Sequence, residues 1–174
     1  TNNGTCTDQN YIITRTWVAT DNCGNSSSQS QIITVSDNLP PNVITQSVTV
    51  YLNAGGTATV TAAQVNNNSA DNCGSIRLSL DKTSFNCNNV GLNTVVLTAT
   101  DVCGNSSSAN ASVTVVDNIA PTVLCRNITV NLDASGSVTI TAAQIDNGST
   151  DACGIDTWTL SQYTFSAPGD YTVT

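Results

Sequence analysis

The residues best suited to chemistry in this chain are acidic and amide side chains beside short Pro-containing segments. Asp37-Asn38 precedes Pro41, and Asp117-Asn118 precedes Pro121 80 positions later. Carboxylate, amide and backbone oxygens are the ligands of a hard cation such as Ca²⁺. The alternative is that each Asp only hydrogen-bonds the backbone of its own turn. We predict calcium sites at the two segments, with these candidate ligands: Asp37, Asn38, Asp71, Asp101, Asn105, Asp117, Asn118, Asp146 and Asp151.

Seven cysteines are the second group of reactive side chains. The chain has no histidine, which excludes Ser-His-Asp and Cys-His catalysis and removes the usual partners of a zinc site. Pairs of Asp residues could act as acid and base, but they recur as turn residues, which favours a scaffold over an active site. We therefore predict a protein that is not an enzyme and whose cysteines form disulfides in an oxidising compartment.

Composition indicates an all-β protein. Charged residues make up 9% of the chain, the 12 acidic residues are all Asp, and strong helix formers are scarce. β-branched residues suit pleated strands, and Asn, Asp, Ser and Gly suit tight turns. A net charge of −8 with four basic residues leaves no cationic patch for nucleic acid or an anionic membrane. No apolar run approaches the length of a membrane span, so we expect no membrane insertion of this segment.

An internal repeat of 80 residues organises the chain. Three stretches return without insertion: 19–28 at 99–108, 61–65 at 141–145, and 71–74 at 151–154. We predict the end of one repeat at 1–36, a complete repeat at 37–116 and most of a third at 117–174. A chain that stops inside a predicted strand is expected to continue.

Alternating apolar residues in the complete repeat mark its strands. They predict strands over 48–52, 58–62, 76–80, around Val96 and Leu97, and over 113–115, with turns at 53–56 and 103–106. We expect almost no helix. Short strands at this spacing favour tandem immunoglobulin-like β-sandwich repeats in an elongated array. In that topology each linker approaches the loop end of the next repeat, where the carboxylates of each candidate site should meet.

The predicted topology also suggests a disulfide. Cys73 opens the third strand and Cys103 closes the long strand antiparallel to it, so we predict a Cys73–Cys103 bridge. Cys73–Cys87 and Cys87–Cys103 stay open as alternatives, because a sequence does not determine connectivity. For Cys153 the sequence favours a partner beyond residue 174. The remaining candidates are Cys6, Cys23 and Cys125.

Several motifs carry a family resemblance. They are Ala120-Pro121-Thr122-Val123-Leu124-Cys125, Thr129-Val130-x-Leu132-Asp133-x-x-Gly136, Asp151-x-Cys153-Gly154, and the stretch from Tyr11 to Asn25. Together they resemble the hyalin-repeat-like (HYR-like) modules of giant secreted surface proteins of Bacteroidetes, and are similar to the flavobacterial gliding-motility adhesins of the SprB type. The resemblance covers essentially the whole chain. It implies immunoglobulin-type repeats, display on the cell surface with attachment to the bacterial outer membrane, and a role in adhesion.

The expected function is a structural stalk or filament segment that supports surface attachment or gliding motility. Its partners would be neighbouring repeats of the same chain, with lateral filament contacts or surface glycans in addition. The alternatives are a ligand-binding module for a glycan or protein, and a non-catalytic spacer of a secreted enzyme. Trp17 and Trp158 are expected to pack in the core, with carbohydrate stacking as the alternative.

Overall fold

The computed structural model describes residues 11–174, with the backbone alone for Tyr11. The prediction of an all-β protein is confirmed, since 42% of the described residues are in strands or bridges and 7% are helical. The strands are β1 (Tyr11–Thr20), β2 (Ser26–Val35), β3 (Val48–Tyr51), β4 (Thr57–Thr59), β5 (Ile76–Leu80), β6 (Ser84–Asn86), β7 (Gly91–Asp101), β8 (Ser106–Val116), β9 (Val138–Thr139) and β10 (Thr164–Phe165). The helical turns are α1 (Ala62–Val65), a 3₁₀ turn (Cys87–Asn89) and α2 (Ala142–Ile145).

The chain forms two compact units. The first comprises the chain up to Val50 together with two later segments, Thr59–Ser84 and Gly91–Val115. The second comprises Tyr51–Ala58, Phe85–Val90 and Val116–Thr174. Two segments of the predicted middle repeat, 51–58 and 85–90, therefore belong to the same unit as segment 117–174.

The first unit is built on a four-stranded sheet with the order β3-β8-β7-β5. β7 runs antiparallel to both β5 and β8. Side chains at alternate positions of β7, Val95, Leu97 and Ala99, are fully buried, and Val113 and Val115 of β8 are buried as well. This alternation is what a strand with one face on a core requires, because successive side chains point to opposite faces.

Strands β1 and β2 form an antiparallel hairpin of ten residue pairs. Most of its large apolar side chains are exposed, and Trp17 has 63% of its surface accessible. The prediction that Trp17 packs in the core is therefore wrong. Leu97, 80 positions later, is buried because its sheet has further strands, whereas β1 and β2 pair only with each other among the described residues.

The segment after β4 departs from the predicted strand 58–62. Ala62 begins helix α1 instead, because Thr61 and Gln64 form a capping box: the Thr61 N–H donates to Gln64 Oε1 at 2.8 Å, and the Gln64 N–H donates to Thr61 Oγ1 at 3.4 Å. Such reciprocal bonds satisfy amides that a helix start leaves open. Helix α2 begins in the same way, with the Thr141 N–H 2.8 Å from Gln144 Oε1.

Phe85, Ile140 and Phe165 of the second unit are all buried. Strands β9 and β10 pair antiparallel, and the Phe165 and Tyr171 rings lie 4.7 Å apart. Trp158 is 42% exposed, so its predicted core position is also wrong. Local structure recurs at the sequence period: the isolated bridges Asn42↔Ala70 and Thr45↔Asn66 return as Thr122↔Thr150 and Cys125↔Asp146.

Candidate metal centre and disulfide bridge

Two of the predicted ligands use one carboxylate oxygen each to hold their own loop. Asp37 Oδ1 accepts the Leu39 N–H at 3.0 Å, and Asp71 Oδ2 accepts the Cys73 N–H at 2.6 Å. Bonds from a carboxylate to the backbone two residues on are the ordinary use of Asp in turns. The turn interpretation therefore accounts for one oxygen of each side chain.

The second oxygen of each carboxylate has no such partner. Asp37 Oδ2 and Asp71 Oδ1 are both buried, and neither has a hydrogen-bond donor within the described part of the chain. One carboxylate oxygen from each of Asp37, Asp71 and Asp101 lies within 4.8 Å of the other two. The predicted meeting of these three side chains at one end of the sheet is confirmed. Buried carboxylate oxygens without donors are unfavourable unless a cation or a proton compensates them.

Asp101 is the most deeply buried of the three, with 7% of its surface accessible. Asn105 holds both of its oxygens: the Asn105 N–H donates to Oδ1 and Nδ2 donates to Oδ2, each at 2.8 Å. Burial acts to raise the pKa of Asp101, but the bonds from Asn105 and the amides of Cys103 and Gly104 together keep it below the ordinary 3.8. Asp101 is therefore held in its anionic form.

Asn105 also ties this loop to the linker. Its Nδ2 donates to the backbone oxygen of Asp37 at 3.1 Å, and the Ser107 hydroxyl donates to the backbone oxygen of Pro41. Asn105 thus acts as a hydrogen-bond donor that fixes Asp101 and Asp37, where the sequence predicted an oxygen ligand.

A second pair of carboxylates has the same arrangement. Asp117 Oδ1 accepts the Ile119 N–H at 3.1 Å, and Asp151 Oδ1 accepts the Cys153 N–H at 2.7 Å. A carboxylate oxygen of each lies within 4.8 Å of the other and of Cys153 Sγ. That sulfur is half of a disulfide, so it is not a thiolate ligand. The structure brings together Asp117 and Asp151 as the sequence predicted.

The remaining predicted ligands lie elsewhere. Asp146 accepts the N–H groups of Ser149 at 3.0 Å and Gly148 at 3.3 Å, and these bonds, Ser149 first, lower its pKa. It is a turn residue whose place is taken by Asn66 in the middle repeat, where Asn66 Oδ1 accepts the Ser69 N–H at 3.0 Å. Asp146 is not part of the group that Asp117 and Asp151 form. Asn38 and Asn118 have exposed side chains.

The cysteines pair differently from the prediction. Cys87 is bonded to Cys153, with their Cα atoms 5.1 Å apart. Cys73 is also disulfide-bonded, whereas Cys103, Cys23 and Cys125 are free thiols.

The predicted Cys73–Cys103 bridge is therefore wrong, as are its two alternatives and the expected partner of Cys153 beyond residue 174. Strand register does place Cys73 and Cys103 at one end of the sheet, because Ile76 pairs with Asp101. A shared end is not enough, since a disulfide requires Cα atoms within about 7 Å and suitably directed Cβ atoms. Cys6, the remaining candidate, lies outside the described residues.

Sequence reasoning missed the role of Gly56 beside the bridge. Gly56 has a φ of +69° in the turn after Asn53, and Cys87 Sγ lies 3.8 Å from its backbone oxygen. The turn itself is visible in the sequence, but a glycine that also makes room for a distant sulfur gives no local signal. The 66-residue separation of Cys87 and Cys153 differs from the 80-residue period, so the repeat gave no signal for the bridge either.

Comparisons with protein-family models and with curated proteins find no match. Among the described residues, no helix has the length and apolar character needed to cross a membrane.

Proposed function

We propose that the chain is a segment of the structural stalk of a large secreted cell-surface adhesin that supports surface attachment or gliding motility. In this proposal the chain consists of tandem immunoglobulin-like β-sandwich repeats of 80 residues. The observation that carries it is the Cys87–Cys153 disulfide, because its two cysteines belong to successive copies of the sequence repeat. A covalent bond between copies resists their separation under load, which is the mechanical requirement on a stalk.

The disulfides also support the proposed extracellular location. Cys73, Cys87 and Cys153 are all bonded, and structural disulfides persist in oxidising compartments but are rare in the cytosol. Attachment to the bacterial outer membrane follows from the family resemblance and belongs to the same proposal.

The use of the acidic side chains supports a scaffold over an active site. Asp21 and Asp101 occupy equivalent turns, and each accepts bonds from the N–H and the Nδ2 of the Asn four residues later, at 2.8 Å in every case. Asp133 holds its hairpin by accepting the N–H groups of Ser135 and Ser137 at 2.8 and 3.1 Å. These carboxylates stabilise turns that recur with the repeat.

We further propose that Asp37, Asp71 and Asp101 bind a hard divalent cation, with Ca²⁺ as the ion. Three carboxylates within 4.8 Å of one another repel, and two of their buried oxygens have no hydrogen-bond donor. Ca²⁺ accepts several oxygen ligands in flexible geometry and would relieve both costs. Asp37 precedes the body of the middle repeat, Asp71 lies in the loop before β5, and Asp101 is the last residue of β7. The ion would therefore fasten the linker to that end of the sheet.

The test of the stalk proposal is where the segment is displayed. Antibodies against the 174-residue chain, applied with gold label to intact cells of the source organism, are expected to mark filaments on the outer surface. Label that appears only after permeabilisation would contradict the proposal. A strain lacking the coding region of residues 37–116 provides a further measurement: filaments are expected to shorten and attachment or gliding to weaken.

A glycan array with the same chain separates the stalk from the binding module. We expect no saturable binding, because the loops at the Asp37 end are held by internal bonds. Saturable binding to one glycan class, lost when residues of those loops are changed, would favour a ligand-binding module.

A further inference from the structure

The loop that follows helix α2 contains the pair Asn147-Gly148, which is the only Asn-Gly pair within residues 12–174. Both residues are exposed. Gly148 has a φ of +85°, and a β-carbon added there would meet nothing within 4 Å. An exposed Asn followed by a residue without a side chain is open to attack on its own side-chain amide by the next backbone nitrogen. The pair therefore has the setting of a chemical modification site.

The loop is anchored on both sides of the pair but is held loosely at the nitrogen that would react. The Asn147 N–H donates to the backbone oxygen of Leu124 at 3.0 Å, and the Ser149 N–H donates to Asp146 Oδ1 at 3.0 Å. The Gly148 N–H lies 3.3 Å from Asp146 Oδ2, beyond the usual range of about 2.7–3.2 Å. Of these three amides, that of Gly148 is the least firmly bonded.

A matching loop stands 80 residues earlier and has no glycine. The Asn67 N–H donates to the backbone oxygen of Ile44 at 2.9 Å, and the Ser69 N–H donates to Asn66 Oδ1 at 3.0 Å. Asn67 and Asn68 are exposed, as their counterparts are, and Asn68 also has a positive φ, +61°. The two loops thus share backbone bonds, exposure and conformation. At the reacting pair they differ in whether the second residue carries a side chain.

We propose that Asn147 deamidates through a succinimide in the folded chain, and that this loop is a site of spontaneous conversion to aspartate and isoaspartate. The Gly148 nitrogen loses its proton and bonds to Cγ of Asn147, and Nδ2 leaves as ammonia. Water then opens the ring. Attack at Cγ restores the normal backbone as aspartate, and attack at the backbone carbonyl carbon leaves isoaspartate, whose chain runs through Cγ. The net reaction consumes water and releases ammonia, without an oxidant or a reductant.

Gly148 makes the reaction selective for this copy of the loop. A side chain on the residue after an Asn crowds the nitrogen that attacks, and Asn68 carries one. The nitrogen of Gly148 is free of that crowding because the residue has no β-carbon. Asn147 therefore reacts faster than Asn67, although both side chains are exposed to water.

The conversion alters a short segment between two backbone bridges. Cys125↔Asp146 precedes the pair, and Thr122↔Thr150 follows it. Isoaspartate adds a methylene group to the backbone between the bridges, and both products add a negative charge beside Asp146, which repels it. The inference concerns this loop alone, and it holds or fails independently of the adhesive role.

Peptide mapping of the aged chain tests the proposal. The folded 174-residue chain is incubated in mildly alkaline buffer made with heavy-oxygen water and is then digested with a protease that cleaves before Asp. This digestion isolates residues 146–150, and Asn67 lies on peptide 37–70. We expect peptide 146–150 to lose ammonia and to gain heavy oxygen at Asn147. The isoaspartate form resists further cleavage, whereas the aspartate form is cut again after Asp146. Asn67 is expected to keep its amide over the same time.

Two variants that exchange the second residue of the pair supply the control. Gly148→Asn gives the later loop the residue of the earlier one and should slow the conversion of Asn147 severalfold. Asn68→Gly should make Asn67 convert. The proposal is overturned if Asn147 gains no more heavy oxygen than Asn67, or if Gly148→Asn leaves the rate unchanged. Conversion that occurs only in urea would also overturn it, because the folded loop would then be protected.

Discussion

Gly56 lies against the sulfur of Cys87 so closely that a β-carbon there would be 2.8 Å from Sγ and 3.2 Å from the Cβ atom of Ala152. The hairpin turn that holds Gly56 and the bridge between two copies of the repeat are therefore packed as one feature. Gly136 occupies the equivalent position with a φ of +80°, and an added β-carbon there meets nothing within 4 Å. Comparing substitutions at Gly56 and Gly136 therefore separates the cost of backbone strain from the cost of the clash with Cys87.

Replacing Gly56 by Ala should destabilise the chain more than replacing Gly136. Both substitutions force a non-Gly residue to a positive φ, which costs about 1–2 kcal/mol. Gly56→Ala adds a clash with Cys87 Sγ, which should raise the loss by about 1–3 kcal/mol. Urea denaturation of the two variants measures the difference. Equal losses would show that the sulfur contact has no energetic weight.

Removing the bridge should lower stability substantially. A closed loop of 66 residues corresponds to about 4 kcal/mol of stabilisation in the chain-entropy account of disulfides. We expect the double variant Cys87→Ser, Cys153→Ser to lose a large part of that amount in urea denaturation, and reductant to have little further effect on this part of the chain. Cys125→Ser changes an exposed free thiol and serves as the control. A double variant as stable as the control would contradict the prediction.

The effect of Asp71→Asn on the melting temperature should differ between EDTA and Ca²⁺. Asp71→Asn keeps an oxygen to accept the Cys73 N–H but removes a charge from the cluster. In EDTA the variant should melt at or above the wild-type temperature, because repulsion among the carboxylates falls. With Ca²⁺ at about one hundred times its Kd, the wild type should gain roughly 5–10 °C and the variant much less.

The control for the calcium experiment is Asp170→Asn, an exposed residue outside the cluster. It should respond to Ca²⁺ as the wild type does. Melting temperatures of the wild type that are the same in EDTA and in Ca²⁺ would remove the metal proposal and leave the turn bonds as the whole role of these residues.

Acid should weaken the Asp133 hairpin but leave its copy at Asn53 unaffected. The pKa of Asp133 lies below the ordinary 3.8, first because the Ser135 hydroxyl donates to it and then because the amides of Ser137 and Ser135 do. A lowered folded-state pKa means that the stabilisation is present above about pH 4 and is lost as the pH falls through the folded value. Asn53 Oδ1 accepts the Gly55 N–H at 2.9 Å and the Thr57 N–H at 3.2 Å without a titrating group.

Exchanging the residue types at positions 133 and 53 tests this prediction. Asp133→Asn should reduce the difference in urea midpoint between pH 7 and pH 3, and Asn53→Asp should increase it. If neither variant changes the difference, other carboxylates account for the acid dependence.

Local features of the fold were predictable from the sequence because they depend on short-range rules. Alternation of apolar residues marked β5, β7 and β8, and Asn-Gly-rich segments marked the hairpin turns. The sequence did not predict that the strand ends before Ala62. The same stretch of sequence carries both the apolar alternation that favours a strand and the Thr61–Gln64 capping box that favours a helix start. The meeting of Asp37, Asp71 and Asp101 was predictable because strand topology decides which loops share an end.

By itself, the sequence determined the 80-residue period, the all-β class and the turns in which the acidic residues stand, because strand alternation and turn bonds act over a few residues. Tertiary structure decided which carboxylates have a buried oxygen left over, which aromatic side chains are exposed, and that Cys87 is bonded to Cys153. Those outcomes depend on distances of a few ångströms between residues far apart in the chain. Cys103 and Cys153 both stand in Asp-x-Cys-Gly motifs, but Cys103 is a free thiol and Cys153 is disulfide-bonded, because the fold brings Cys87 beside Cys153.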